Sequence, residues 1–199
     1  MGNLRSVQKA FEKLGFCAFI TKEHKFIEES SHIVLPGVGA FGDAMKNLQN
    51  LGFVETLNKE VIQNKKPFLG ICLGMQLLAS KGYEMGEHNG LGWIDGEVVK
   101  FRFDTNLKIP HVGWNNVHYA KASVLFDGIK ESSDFYFVHS YHFDVKNRAD
   151  ILSYTDYGFD FVSSIAKDNI FGVQFHPEKS QESGLKLLQN FASFGGNKC

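Results

Sequence analysis

The 199-residue sequence lacks most features that mark membrane, secreted or nucleic-acid-binding proteins. It has no run of about 18 apolar residues that could cross a bilayer, and its first residues form no apolar signal region. Its formal net charge is −1 and its basic residues are scattered, so no strong field attracts nucleic acid or an anionic membrane. We therefore expect no nucleic-acid partner and no membrane association.

Cysteine is also scarce, with Cys17, Cys72 and Cys199 the three in the chain. An odd, sparse set without metal-type pairing is typical of a reducing compartment, which predicts a cytoplasmic protein. His139 and His142 are three apart in a strand-like run, so their side chains should face opposite ways. We therefore expect no metal site, and nothing in the sequence indicates an organic cofactor.

What the sequence does contain is an alternation of strand and helix patterns in its first 80 residues. Strand-like runs at 16–20, 32–35 and 67–72 are separated by helical periodicity, and a helix should follow over 73–80. This order predicts an α/β fold with a mostly parallel central sheet flanked by helices. After residue 90 strand-like runs follow one another closely, which predicts added antiparallel strands. No linker or repeat interrupts the chain, so we expect a single domain over residues 1–199.

Cys72 lies between two glycines, in Gly70-Ile71-Cys72-Leu73-Gly74, where a predicted strand meets a predicted helix. Gly-x-nucleophile-x-Gly at such a junction is the pattern of a nucleophile elbow, whose flanking glycines avoid collisions in a sharp turn. The turn exposes the side chain at the sheet edge and at a helix N-terminus, which favours thiolate. The pentapeptide alone is equally compatible with a small buried cysteine.

A second stretch, His176-Pro177-Glu178, follows directly after another predicted strand. A cysteine nucleophile needs a base that takes its proton and later protonates the leaving group. That base needs an acceptor that fixes its tautomer. His176 and Glu178 suit these roles, although a histidine at a strand end is more often structural when it stands alone.

The third stretch is Gly37-Val38-Gly39, after the strand at 32–35. A backbone donor from this loop and the N–H of Leu73 would stabilise an oxyanion next to the nucleophile. The loop also matches G-x-G-x-x-G, a dinucleotide-binding pattern. That pattern needs an acidic residue at the end of the next strand, where this chain has Cys72, so the oxyanion interpretation is favoured.

These three stretches resemble the class I (triad) glutamine amidotransferases. Within them, the chain is similar to the glutaminase subunits of imidazole glycerol phosphate synthase. The narrower resemblance depends on Gly90-Leu91-Gly92, Pro110-His111-Val112-Gly113-Trp114-Asn115 and Phe137-Val138-His139-Ser140-Tyr141.

The resemblance implies that Cys72 attacks the side-chain amide of L-glutamine and forms a glutamyl thioester. It implies that His176 is the acid and base and that Glu178 orients it. The residues that match the family's oxyanion and glutamine-holding groups are Gly37, Val38, Gly39, Leu73, Gln76, Ser140 and Tyr141.

The resemblance further implies a heterodimer with a (β/α)8 cyclase subunit. That partner would use the ammonia to make imidazole glycerol phosphate and aminoimidazole carboxamide ribotide in histidine biosynthesis. The residues that match the subunit interface are Asn3, Trp114, Asn115, Tyr136 and Lys179. An alternative is a paralogue that supplies ammonia to a cyclase-like partner for another acceptor, such as a surface-glycan sugar.

The sequence departs from the family at its start. Members of the family begin with a strand that ends just before Gly-Asn, whereas this chain begins at Met1-Gly2-Asn3. We therefore expect the family's first strand to be missing from this sequence. Loss of a strand from a parallel sheet would expose apolar side chains and unpaired backbone groups.

Overall fold

The computed structural model describes residues 3–103 and 107–196, so Cys199 lies outside the described residues. The helices are α1 (Leu4–Lys13), α2 (His24–Glu29), α3 (Phe41–Asn50), α4 (Phe53–Leu57), α5 (Leu73–Gln76) and α6 (Gln181–Ser193), with a π-helical turn at Asn58–Gln63 after α4. The strands are β1 (Ile33–Gly37), β2 (Phe68–Cys72), β3 (Lys81–Gly82), β4 (His88–Asn89), β5 (Gly96–Lys100), β6 (His111–Asn116), β7 (His118–Tyr119), β8 (Asp134–His139), β9 (Tyr141–Val145), β10 (Ile151–Asp156), β11 (Asp160–Lys167) and β12 (Ile170–Val173).

Ten of these strands form one mixed sheet. Eight follow the order β1-β2-β12-β11-β9-β5-β3-β4, and β10 and β7 extend from β11. The pairs β1–β2, β2–β12 and β3–β5 are parallel, and the other pairs of this sheet are antiparallel. The predicted α/β fold with antiparallel strands in its second half is confirmed. Its parallel part is confined to β1, β2 and β12 and to the short β3–β5 pair.

Apolar side chains from the two faces of β2 enter two different core clusters. Phe68 packs with residues of α3 and α4, while Leu69 and Ile71 pack with residues of α1 and α6. Alternate residues of a strand point to opposite faces, so helices cover both sides of this strand. This double burial explains why the sequence of β2 reads as a short, uninterrupted apolar run.

The strand predicted at 16–20 is wrong. Those residues have no strand conformation, and among the described residues β1 pairs with β2 alone. A strand needs a neighbour to receive its backbone hydrogen bonds, and this segment has none within the described ladders. Phe19 and Ile20 are accordingly exposed.

The helix predicted over 73–80 is shorter than expected, because α5 ends at Gln76. The carbonyls that would continue it are used elsewhere. Leu91 donates to the Leu77 carbonyl at 2.8 Å, and Gly92 donates to the Ala79 carbonyl at 3.0 Å. These bonds tie the end of α5 to the chain that leads into β5.

A separate two-stranded sheet is formed by β6 and β8. Its register places Trp114 opposite Tyr136 and His111 opposite His139. The chain bends at Ser140 between β8 and β9, so the expectation that His139 and His142 face apart is wrong. Both rings pack against Phe101, with centroids at 5.1 and 4.9 Å.

The turn from β2 into α5 leaves no space for side chains at its glycines. A Cβ at Gly74 would overlap the carbonyl oxygen of Leu35 in β1, and one at Gly70 would lie 2.5 Å from the Gly74 oxygen. Helix α5 therefore lies so close to β2 at Gly70, and to β1 at Gly74, that only glycine fits at these two positions.

We expect Gly74→Ala to reduce the free energy of unfolding by about 3 kcal/mol or more, because overpacking here displaces backbone. Gly15→Ala is the matched control, because Gly15 has φ +84° and nothing lies within 4 Å of an added Cβ. This substitution should reduce the free energy of unfolding by only about 1 kcal/mol, the strain of a left-handed alanine. Urea unfolding measures both variants. Equal losses of stability would contradict a close approach of α5 to β1 at Gly74.

Candidate active site

Cys72 occupies the turn between β2 and α5 in a strained conformation. Its φ and ψ are 54° and −110°, outside the regions that non-glycine residues favour. Such strain is characteristic of functional turns, since the surrounding packing must hold it. In the β1–β2 register Gly37 lies directly opposite Cys72, which brings the 37–39 loop beside the sulfur.

His176 and Glu178 form a buried pair just after β12. Nδ1 of His176 lies 2.8 Å from Oε1 of Glu178, and the two side chains are 1% and 0% exposed. The backbone of this turn is held to β8, because the His176 N–H donates to the Tyr136 carbonyl at 2.8 Å. With Nδ1 bonded to the carboxylate, Nε2 is the ring atom available for proton transfer.

Nε2 of His176 has no hydrogen-bond partner among the described residues. Burial alone would lower the pKa of His176, but the neighbouring Cys72 sulfur and Glu178 carboxylate together raise this pKa to about 9. Both neighbours favour the imidazolium form, which a negative group nearby stabilises. The structure thus brings the three predicted triad residues, Cys72, His176 and Glu178, into one unit in which Cys72 and Glu178 both act on the charge of His176.

Asn3 also contacts this unit. Its side-chain amide donates a hydrogen bond to Oε1 of Glu178. We predicted Asn3 at a partner interface, whereas the structure places its side chain against the triad carboxylate at the start of α1. Its amide is therefore used inside the chain, and any contact of Asn3 with a partner stays a prediction.

The residues predicted to hold the substrate lie around Cys72. Val38 is 45% exposed and Gly39 has φ +103°, so the loop after β1 is open to solvent beside the sulfur. Leu73 is the first residue of α5, where backbone N–H groups have no helical acceptor. The backbone of Leu73 and the open 37–39 loop therefore both lie next to the nucleophile.

Gln76 is buried and makes two hydrogen bonds through Nε2. It donates to the Tyr141 carbonyl at 3.0 Å and to Oε1 of Gln174 at 2.9 Å. Nε2 of Gln174 lies 3.6 Å from the Cys72 sulfur. The Ser140–Tyr141 bend is held as well, since the Phe101 N–H donates to the Ser140 carbonyl at 3.1 Å.

Sequence reasoning missed Gln174 and Glu84. The signal for Gln174 was its place two residues before His176, although β12 ends at Val173 and both residues follow the strand. Glu84 gave no signal, since it follows the two-residue strand β3. Its carboxylate accepts from the Phe41 N–H at 2.8 Å and contributes to raising the pKa of Tyr141, after the larger effect of burial.

Three of the predicted interface residues cluster on one face of the β6–β8 sheet. Trp114 is 47% exposed and its ring centroid lies 6.0 Å from that of Tyr136. Nζ of Lys179 lies 5.5 Å from the centre of the Tyr136 ring. Asn115 differs, because its amide bonds inward to the Asp156 carbonyl at 2.9 Å.

Among the described residues, no group of three or more histidine, cysteine, aspartate or glutamate side chains could hold a metal ion. Within residues 3–103 and 107–196, every helix is too short or too polar to span a membrane.

Comparison with known proteins shows the family. Residues 4–193 match the model of the glutamine amidotransferase class-I family. The chain is 56% identical over 191 residues to imidazole glycerol phosphate synthase subunit HisH 1 of Campylobacter jejuni subsp. jejuni serotype O:23/36 (strain 81-176), covering 96% of this chain and 94% of that protein. It is 52% identical over 192 residues to subunit HisH of Aquifex aeolicus (strain VF5), covering 96% and 91%.

Solved structures show the same fold. A structure described as a glutamine amidotransferase superposes with a TM-score of 0.74 at 19% identity and covers 96% of this chain and 95% of its own. A glutamine amidotransferase from Thermotoga maritima superposes with a TM-score of 0.62 at 19% identity and covers 93% of this chain and 75% of its own.

We expect the His176 ring to titrate with a midpoint near pH 9 in NMR spectra. Glu178→Gln and Cys72→Ala should each lower that midpoint, because each removes a group that favours the imidazolium. The folded-state pKa lies above the ordinary value of 6.5, so the stabilising contribution is complete below pH 6.5 and lost as pH rises through about 9. A titration midpoint of His176 at or below pH 6.5 in the unmodified chain would show that Cys72 and Glu178 do not stabilise its imidazolium form.

Proposed function

Because the chain belongs to the class-I glutamine amidotransferase family, we propose that it is a glutaminase subunit of imidazole glycerol phosphate synthase. It hydrolyses L-glutamine to glutamate and ammonia. The observation that carries this proposal is the convergence of a strained, buried Cys72 with the buried His176–Glu178 pair. The HisH proteins it resembles carry the name of that synthase.

The reaction begins when the Cys72 sulfur attacks the carbonyl carbon of the glutamine side-chain amide. His176, which is protonated near neutral pH because of its raised pKa, gives its proton to the amide nitrogen, so the C–N bond breaks and ammonia leaves. A glutamyl thioester remains on Cys72. Water then attacks the thioester, His176 removes a proton from that water and keeps it, and the C–S bond breaks to release glutamate and the Cys72 thiolate. Glu178 holds the Nδ1–H of His176 and stabilises the imidazolium.

Two further groups of residues serve this chemistry. The N–H of Leu73 and a backbone N–H of the Gly37-Val38-Gly39 loop stabilise the oxyanion, each worth roughly 10²–10³ in rate. Gln76 and the Ser140–Tyr141 backbone hold the amino-acid part of glutamine. The carboxylate of Glu84 has the charge to attract the α-ammonium group of glutamine.

Ammonia passes to a (β/α)8-barrel cyclase, the second chain of a cytoplasmic heterodimer. There it enters the reaction that gives imidazole glycerol phosphate and aminoimidazole carboxamide ribotide. The exposed face formed by Trp114, Tyr136 and Lys179 is the docking surface for that cyclase, and the chain acts as one domain. The alternative acceptor, a surface-glycan sugar, has no support from the HisH relatives.

Cys72→Ala should lower glutamine-dependent turnover of the complex by about a thousandfold or more, because no other group can form the thioester. Turnover with added ammonium salt should be unchanged, since the cyclase reaction does not use the thiol. Cys17→Ala, at an exposed position, is the matched control. Equal activity of Cys72→Ala and the control with glutamine would refute the nucleophile.

Trp114→Ala should weaken binding to the cyclase by about 30-fold, as a truncated interface aromatic typically costs about 2 kcal/mol. We expect glutaminase activity to be low in the isolated chain, so the variant should need correspondingly more cyclase for activation. Val124→Ala removes an exposed apolar side chain outside this face and serves as the control. Unchanged titration of Trp114→Ala by calorimetry would exclude this face as the docking surface.

A further inference from the structure

A continuous chain of hydrogen bonds runs from the β6–β8 sheet to the glutamine site. Asn115 Nδ2 lies 3.3 Å from His111 Nε2, and His111 Nδ1 lies 3.1 Å from His139 Nε2. His139 Nδ1 lies 2.8 Å from the Tyr141 carbonyl oxygen, which also accepts from Gln76. The two histidines are 3% and 6% exposed, so water does not substitute for these bonds.

The direction of every bond in this chain follows from its two ends. The Tyr141 carbonyl can only accept, so His139 carries its proton on Nδ1 and leaves Nε2 as an acceptor. His111 must then donate through Nδ1, which leaves its own Nε2 as an acceptor for Asn115. Burial lowers the pKa of His111 to about 4 and that of His139 to about 3, so both rings hold a single proton near neutral pH.

The orientation of Asn115 is fixed independently and agrees with this direction. Its Oδ1 accepts from the Asn116 N–H at 2.8 Å, and its Nδ2 donates to the Asp156 carbonyl at 2.9 Å. The second hydrogen on Nδ2 is therefore the one that faces His111. Asn115, His111 and His139 thus all donate in the same sense, toward the bend that holds the substrate.

Stacking fixes the ring of His111 in the plane that these bonds require. Tyr157 stacks on it with centroids 3.9 Å apart, and Phe137 stacks with centroids 4.9 Å apart. His139 lies against Phe101 and Phe161, each at 5.1 Å. Aromatic packing and the one-way chain of hydrogen bonds together determine the positions of both rings.

We propose that His139, supported by His111, is a positioning residue of the glutamine site: its Nδ1–H holds the Tyr141 carbonyl and, through it, Gln76. This inference rests on the proposed function for its consequence in catalysis. Loss of the donor would leave the Tyr141 carbonyl with Gln76 as its remaining side-chain partner. The bend would then hold glutamine less well, while the Cys72, His176 and Glu178 side chains would keep their contacts.

Two substitutions of His139 separate positioning from packing. His139→Asn places an amide N–H where Nδ1 stood and keeps the donor, but removes the ring. His139→Phe keeps an aromatic ring in the cluster and removes the donor. In complex with the cyclase, we expect His139→Phe to raise the KM for glutamine about tenfold, the usual effect of a lost buried hydrogen bond, with kcat within about twofold. His139→Asn should keep KM within about threefold of the unmodified chain.

A purely structural role predicts the reverse order, with His139→Phe close to normal and His139→Asn impaired, and that result would overturn the proposal. A second measurement needs no variant: 15N NMR of the unmodified chain should show His111 and His139 both protonated on Nδ1 at pH 7. Protonation of His139 on Nε2 would also overturn it. A chain that hydrolyses no glutamine would instead refute the proposed function, and the NMR result would still stand.

Discussion

The abrupt reversal of the backbone at Cys72 is the constraint on which the rest of the site depends. Gly70 lets α5 lie against β2, Gly74 lets it lie against β1, and the strained Cys72 turn is held by this packing. The parallel pairing of β1 and β2 sets Cys72 opposite Gly37. A nucleophile, a helix N-terminus and an open glycine loop thus meet at one edge of the sheet.

Burial of Glu178 adds an electrostatic constraint. A buried carboxylate is costly unless it is paired, and Oε2 of Glu178 has no partner among the described residues. Its other oxygen is bonded by His176 and Asn3. An imidazolium at His176 compensates this charge directly. The raised pKa of His176 keeps the ring in this charged form, next to the Glu178 carboxylate.

The local sequence pattern was sufficient to predict those parts of the site whose geometry is set by neighbouring residues in the chain. The glycine spacing around Cys72 and the position of His176 after a strand predicted the elbow and the pair that the structure brings together. The strand at 16–20 failed because a strand depends on a neighbour, and periodicity carries no information on whether one is present. Glu84 could not be found for a similar reason, since its place beside Phe41 and Tyr141 is set by the folding of distant segments. Asn3 was assigned to a partner by resemblance, whereas its amide bonds to Glu178.

Strand β8 connects the exposed face to three parts of the site over four residues. The Tyr136 carbonyl accepts from the backbone of His176, and the Val138 carbonyl lies 3.9 Å from the Cys72 sulfur. Nδ1 of His139 is hydrogen-bonded to the Tyr141 carbonyl, which also accepts from Gln76. Trp114 is paired with Tyr136 across the β6–β8 sheet, so the proposed docking face includes this same strand. Strand β8 therefore contacts His176, Cys72 and the Ser140–Tyr141 bend, so these three parts of the candidate site share one support with the proposed docking face.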